Sequence, residues 1–265
     1  MPALPPSVVA QVTYLLCDAD GNLFPSEEPA FDASVAVTNA FLAELGSDQR
    51  FTAEELRRAS TGLNFRTTAA RLAAEAGRPD TDLEPWVAEE KRAVSEHLAA
   101  TLRPHAETSA ALTALAEHLE LAAVSSSALT RLAGCFTATG LDELIPASRR
   151  FSAEDSLPTP TSKPDPAVYL HACERLGIAP QQGLAVEDSL PGVQSAVAAG
   201  CPTVGNVLFV APAEREERAG ALLAAGALLV INSWQDLADL LLPGLAVRAG
   251  GRRSGDELTT TGAAR

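Results

Sequence analysis

The order of apolar patterns along the chain predicts an α/β protein: a Rossmann-like, doubly wound parallel sheet with an all-helical segment inserted behind its first strand. Three observations lead there. From residue 119 to 242, short strand-type apolar runs alternate with helix-period stretches, and such alternation builds a parallel sheet covered by helices on both faces. A further strand-type run stands alone near the N-terminus, at 8–17. Between the two regions lie ~80 residues with helical periodicity only, too many for one crossover helix and better read as an insertion.

The elements follow in order. VVAQVTYLLC (8–17) is rich in β-branched and aromatic side chains and reads as a buried strand, ending in the turn Asp18-Ala19-Asp20-Gly21-Asn22. Phe31, Val35, Leu42 and Leu45 then recur at helical spacing with Gly46 as the stop. More helices are expected over 52–60, 64–76, 81–101 and 105–118. LELAAV (119–124) reads as a strand, 128–140 as a helix closed by Gly140, and Phe151 lies in a short strand. Asp165 and Pro166 open a helix that ends at Gly177. GLAVE (183–187), PTVGNV (202–207) and ALLVI (227–231) complete the strands, with helices over 189–199, 213–225 and 235–242. These assignments place a core at 8–26 and 102–245 and a helical insertion at 27–101. Residues 246–265, rich in Gly, Arg and Thr without periodicity, read as a disordered tail.

Composition narrows the function. The chain of 265 residues is 46% hydrophobic and 20% charged, an ordinary globular balance. Its longest apolar run, Ala219 to Ile231, spans 13 residues, against the ~20 of a membrane-crossing helix. No basic start marks a secretory leader. A net charge of −14 disfavours nucleic acid, whose binding rests on cations. Cys17, Cys135, Cys173 and Cys201 show no metal-ligand spacing and read as reduced, buried residues of a cytoplasmic protein. Positive charge is written almost wholly as arginine: Lys91 and Lys163 are the two lysines among 20 basic residues.

Ligands of open α/β sheets bind beyond the carboxyl ends of the strands. Asp18 and Asp20 follow the first strand, Ser125-Ser126-Ser127 the second, Lys163 the third and Glu187-Asp188-Ser189 the fourth. Each group has a bland reading alone, as an acidic turn, a helix cap, a Pro-rich helix start, or carboxylates on a helix dipole. Those readings do not predict that all four should meet in one crevice.

With those residues in view, the chain resembles the haloacid dehalogenase superfamily, in its phosphatase and β-phosphoglucomutase-like branch. The resemblance is carried by YLLCDADGNLF (14–24), AAVSSSA (122–128), SKPDPAVYL (162–170) and LAVEDSLPGVQSAVAAG (184–200), in that order. It implies a helical cap at the insertion, closing over the substrate. It also implies Asp18 as nucleophile, Asp20 as general acid and base, and Ser125 and Lys163 as phosphate-facing groups, helped by backbone N–H groups of Ser126 and Ser127. Mg²⁺ would be held by Asp18, the Asp20 carbonyl and Asp188, with Glu187 a ligand or a supporting partner. In the cap, Gly62 and Arg66 of TGLNFR (61–66) resemble a specificity loop, and a solvated helix-face arginine is the plainer reading of Arg66. The implied activity is hydrolysis of a small phosphorylated metabolite, a sugar phosphate or a phosphoglycolate-like acid, by a monomer or homodimer. Dehalogenases lack the second acidic residue that Asp20 supplies. Mutases carry a His early in the cap, where this chain reads Glu28-Pro29-Ala30-Phe31. A hexose-phosphate mutase, or a non-catalytic module on the same fold, is the alternative. Asn22 departs from the usual Thr or Val of the first motif.

Overall fold

Six short apolar runs form the strands β1 (Tyr14–Cys17), β2 (Glu120–Ser125), β3 (Arg150–Ser152), β4 (Gly183–Glu187), β5 (Thr203–Asn206) and β6 (Val230–Ile231). In the computed structural model, which describes residues 3–60 and 64–259 with 249–259 as backbone only, they make one parallel sheet of order β3-β2-β1-β4-β5-β6. The sequence runs outward from β1 in both directions, so the ends of β1, β2 and β4 lie side by side at the switch point.

The helices are α1 (Pro6–Gln11), α2 (Glu27–Glu44), α3 (Ala53–Ser60), α4 (Phe65–Glu75), α5 (Glu84–Thr101), α6 (Ala106–Ala116), α7 (Leu129–Thr139), α8 (Ala167–Leu176), α9 (Leu190–Ala198), α10 (Arg215–Ala224) and α11 (Trp234–Thr259). One sheet face buries Leu16, Ala122, Val124 and Ala185 against Val168, Tyr169 and Ala172 of α8 and Ala196 of α9. Successive strand residues point to opposite faces, and the alternate set Leu15, Ala123, Leu184 and Val186 is fully buried as well. Two covered faces explain why these strands are apolar throughout instead of alternating.

Two compact units emerge. One comprises the chain through Phe24, Pro104–Leu132 and the chain from Gly140 on; the other comprises Pro25–Arg103 and Ala133–Thr139. The second is helical, with Phe41, Leu42, Leu45, Ala69, Leu72 and Ala73 as its core and an edge-on contact of Phe41 with Trp86. Among the described residues, no helix is long and apolar enough to cross a membrane.

Two expectations are corrected. Residues 8–11 belong to α1, not to the first strand. Pro6 at the first helical position presets a helical φ there, and Val9 packs onto Gly244 of α11, where a Cβ would come within 2.6 Å of it. The β-branched run therefore splits between a helix and a strand. The tail expected from residue 246 begins instead as the continuation of α11, described to Thr259. Trp234, Leu237, Ala238, Leu241 and Leu245 form its buried stripe, and Arg248 donates to the carbonyls of Ala10 and Val12. A helix anchored in this way extends readily, because each added residue brings its own hydrogen bond. Residues 260–265 lie outside the described residues.

Candidate active site

The site follows from strand register. Cys17 pairs with Ala123 on one side and Val186 on the other, so the next residues, Asp18, Val124 and Glu187, stand level at the carboxyl end of three adjacent strands. Lys163 ties that level together. Its Nζ donates to Asp18 Oδ1 at 2.5 Å, to Glu187 Oε1 at 2.5 Å and to the Val124 carbonyl at 2.7 Å. An ammonium has three donors and no acceptor, and each donor is used here. A planar guanidinium could not serve three acceptors arranged as a tripod, a physical reason for lysine in a chain that otherwise writes arginine. The Lys163 N–H is held by Ser126 Oγ at 3.1 Å.

Two glycines make room for the acids. At Gly192, in the first turn of α9, a Cβ would fall 1.8 Å from Glu187 Oε2. At Gly21, whose φ of +75° suits glycine, it would fall 2.3 Å from Asp188 Oδ2. Asp18, Glu187 and Asp188 thereby bring carboxylate oxygens within 4.8 Å of one another, all buried. Tyr169 donates to Glu187 Oε1 at 2.5 Å, and Arg218 donates to the Asp188 carbonyl at 3.1 Å.

Three buried acids cluster beside one buried ammonium, which bonds two of them, and their protonation shows the imbalance. Burial pushes the Asp18 carboxyl up, with Lys163 opposing. Burial, then the neighbouring Asp18 and Glu187, hold Asp188 well above the usual carboxylate range. Glu187 is pushed up to about 7, by burial first and by Asp18, against the pull of Lys163. Burial lowers the Lys163 ammonium, yet Asp18 and Glu187 more than offset it and hold it above the ordinary lysine value. Glu187 Oε2 is buried and has no hydrogen-bond partner. Hard oxygen donors, an excess of buried negative charge and an unsatisfied oxygen fit a small divalent cation.

Asp20 faces another way. Its Oδ2 accepts from Ser127 Oγ at 2.6 Å and its Oδ1 from Arg131 Nη2 at 2.9 Å. Its side chain is thus committed to the β2–α7 connection rather than to the acid cluster. Ser125 is buried, and its Oγ accepts from the Ser127 N–H at 3.0 Å. In this arrangement the Ser127 N–H is turned to Ser125 rather than outward as expected. The N-terminus of α7 is capped by Asp155, which accepts from the Leu129 N–H at 2.6 Å, and not by a serine.

The unusual Asn22 has a defined task. Fully buried, it donates to the carbonyls of Asp18 at 2.9 Å and Val186 at 3.0 Å. Its Oδ1 accepts from Asn206 of β5 at 2.8 Å, and its own carbonyl accepts from Trp234 Nε1 at 3.1 Å. A carboxamide with two donors and an acceptor can join β1, β4 and β5; a threonine hydroxyl has one donor.

Asp18, Ser126, Lys163 and Glu187 are linked by the Lys163 contacts, with Asp188 in the same acid cluster and Asp20 joined to Ser127. Arg66, on α4 of the helical unit, pairs with Glu84 through both guanidinium nitrogens at 2.5 and 2.9 Å. Gly62 lies outside the described residues. Sequence reading missed Tyr169, Arg131, Arg218 and Asn206. Arg131 carried one faint signal, a position four residues beyond Ser127 and so about one helical turn along; the others carried none.

A family model of haloacid dehalogenase-like hydrolases matches residues 12–200. The chain is similar to phosphoglycolate phosphatase of Thiobacillus denitrificans, 56% identical over 43 residues that cover 16% of this chain and 19% of that protein. The match therefore spans about a fifth of that relative's length. Among solved structures, a haloacid dehalogenase-like protein of unknown function from Agrobacterium tumefaciens aligns with a TM-score of 0.68 at 25% identity, covering 88% of this chain and 98% of that one. A hydrolase of the same family from Deinococcus radiodurans, solved with bound phosphate and sodium, aligns with a TM-score of 0.65 at 26% identity, covering 89% and 98%.

Proposed function

We infer, from the premise that this chain belongs to the haloacid dehalogenase-like hydrolases, that it is a Mg²⁺-dependent phosphatase of small phosphorylated metabolites. The observation that carries the reading is the Lys163 bridge between Asp18 and Glu187. It orients the Asp18 carboxylate by one oxygen, Oδ1, and defines Oδ2 as the attacking atom. A buried lysine shared by two acids at a sheet's carboxyl end has a catalytic use and little structural need. The Deinococcus relative with bound phosphate and the partial likeness to phosphoglycolate phosphatases point to the same ligand class.

Asp18 attacks phosphorus, forming the aspartyl-phosphate bond as the bond to the ester oxygen breaks. Asp20, once one of its oxygens leaves Ser127 Oγ or Arg131, gives its proton to the departing oxygen, then takes one from the water that attacks the phosphorylated Asp18. That second displacement returns the Asp18 carboxylate and releases inorganic phosphate. Ser125 and the N–H groups of Ser126 and Ser127 hold the phosphoryl oxygens, which requires the Ser127 N–H to leave Ser125 Oγ.

Charge sets the need for cations. A carboxylate approaching a phosphate dianion meets repulsion of about 4 kcal/mol per unit pair at ~4 Å and an effective dielectric of ~20. Lys163 offsets part of it. Asp18, Asp188 and the Asp20 carbonyl would hold Mg²⁺, which when bound supplies two positive charges where phosphate charge gathers. Glu187 holds Lys163 through Oε1, which Tyr169 also shares, and its unpartnered Oε2 is the oxygen it would offer to the metal. The test is phosphate release from an aryl phosphate with Mg²⁺, with and without chelator, in the wild type and Asp18→Asn. Full turnover in the chelated enzyme or in the variant would overturn the mechanism.

A further inference from the structure

Asp18 and Asp188, two of the three clustered acids, are both gripped by their main chain. Asn22 Nδ2 donates to the Asp18 carbonyl at 2.9 Å, and Arg218 Nη1 donates to the Asp188 carbonyl at 3.1 Å. Asp20 is held the opposite way, by its carboxylate, on Ser127 and Arg131. A grip on the carbonyl fixes where an acid stands and leaves its carboxylate to meet a cation.

The two grips are the ends of one chain of contacts. Asn22 Oδ1 accepts from Asn206 Nδ2 at 2.8 Å, and Asn206 Oδ1 accepts from the Leu208 N–H at 3.0 Å. The Leu208 carbonyl accepts from Arg215 Nη2 at 2.8 Å, and the Val210 carbonyl from Arg215 Nε at 2.9 Å. Arg215 opens α10, and Arg218 stands three residues on, one turn along the same side of the helix. Leu222 of α10 packs with Val193 of α9 and Val207, just past β5, so the helix is seated on the sheet. The connection from β5 to α10 is therefore pinned along its length, and α10 delivers a guanidinium to the Asp188 main chain.

We propose that the β5–α10 connection is a clamp that sets the spacing of Asp18 and Asp188 for Mg²⁺, with Arg218 the positioning residue at its end and Arg215 its anchor. Mg²⁺ at these acids belongs to the phosphatase reading, on which the clamp depends. Mg²⁺ demands near-ideal octahedral geometry, so small errors in where a carboxylate stands weaken its binding. Partners that orient the ligands accordingly carry much of a metal site's affinity. Charge gives Arg218 no such use, because a guanidinium beside the acids repels a divalent cation. Charge and position thus predict opposite signs when Arg218 is removed.

The experiment titrates Mg²⁺ into the substrate-free full chain by calorimetry, in the wild type, Arg218→Met, Arg218→Lys and Arg215→Met. Arg218→Met should raise the Mg²⁺ dissociation constant by about 10-fold, the low end of what losing such a partner costs. Arg218→Lys keeps a charge and a donor on a long stem, and should recover part of that loss. Arg215 bonds the Leu208 and Val210 carbonyls, so Arg215→Met should raise the constant too, by loosening the connection. A purely structural loss would lower the melting temperature of the metal-free protein and leave the dissociation constant of the folded protein in place. Unchanged or tighter binding in Arg218→Met, or an unchanged constant in Arg215→Met, overturns the clamp alone. No Mg²⁺ binding by the wild type overturns the metal's place in the phosphatase reading, and the clamp with it.

Discussion

At the sheet end, Lys163 meets Asp18 and Glu187 at 2.5 Å, with side chains 5%, 10% and 0% exposed. On the helical unit, Arg66 meets Glu84 at the same 2.5 Å, with side chains 48% and 70% exposed. The chemistry and the distance match, and the surroundings do not. Water and salt screen the exposed pair, and pairs of that kind contribute little. The buried trio has lost its water, so each charge depends on its partners, and removing one strands the others. An ion pair in this protein is valued by what surrounds it, not by its length.

Mutations can break that contrast, in decreasing order of effect. Asp18→Asn should lower phosphate release by more than ~1,000-fold, because an amide is not a nucleophile here; stopped assays with an aryl phosphate read it directly. Lys163→Met should abolish turnover and also destabilise the protein by about 3–5 kcal/mol in denaturant unfolding, since two buried acids lose their shared cation. Lys163→Arg should not restore activity, because a planar fork cannot fill the tripod.

The acid cluster also predicts a pH signature. Glu187 rises from an ordinary 4.5 to about 7 in the fold, so the native state binds more protons than the unfolded chain between those values. Stability of the metal-free protein should therefore be greatest below about pH 4.5 with respect to this group. It should fall as pH rises toward 7, by up to the order of 3 kcal/mol. Asp18 and Asp188, raised by the same burial, act with the same sign. Mg²⁺ should restore the loss above pH 7, where binding no longer has to displace protons. Thermal unfolding from pH 5 to 8, with and without Mg²⁺, would contradict the charge-excess account if metal-free stability climbed throughout.

Asn22→Leu should cost about 1–3 kcal/mol, because the Asp18 and Val186 carbonyls and the Asn206 amide lose their buried partner. A matching drop in turnover would show that Asn22 also positions the nucleophile. At the bottom of the scale, Glu84→Gln should leave the melting temperature unchanged at 150 mM salt. A clear drop would mean that the exposed pair is not screened as its surroundings require.

The elements between 119 and 231 were readable because a parallel sheet covered on both faces leaves continuous apolar runs, with capping residues such as Ser189 and Gly177 at the helix borders. Residues 8–11 were misread because β-branching favours a strand, while Pro6 and a partner helix far along the chain favoured a turn of helix. Asp18, Ser125, Lys163, Glu187 and Asp188 were readable as types placed at strand ends. Their division of labour was not. Nothing local says that Lys163 spends all three donors on its own chain, that Asp20 turns toward Arg131, or that Asn22 reaches across to β5.

The linear order of residues established the alternating pattern and the chemical kinds gathered at the strand ends, because these depend on neighbours within a few positions. Folding assigned the partners. Lys163 and Asp18 stand 145 positions apart, Arg131 and Asp20 111, and the sheet with the loops and helix that leave its strands brings each pair to contact distance. It also withdraws water from one ion pair and leaves it on another, and that difference in solvation turns equal contacts into unequal forces.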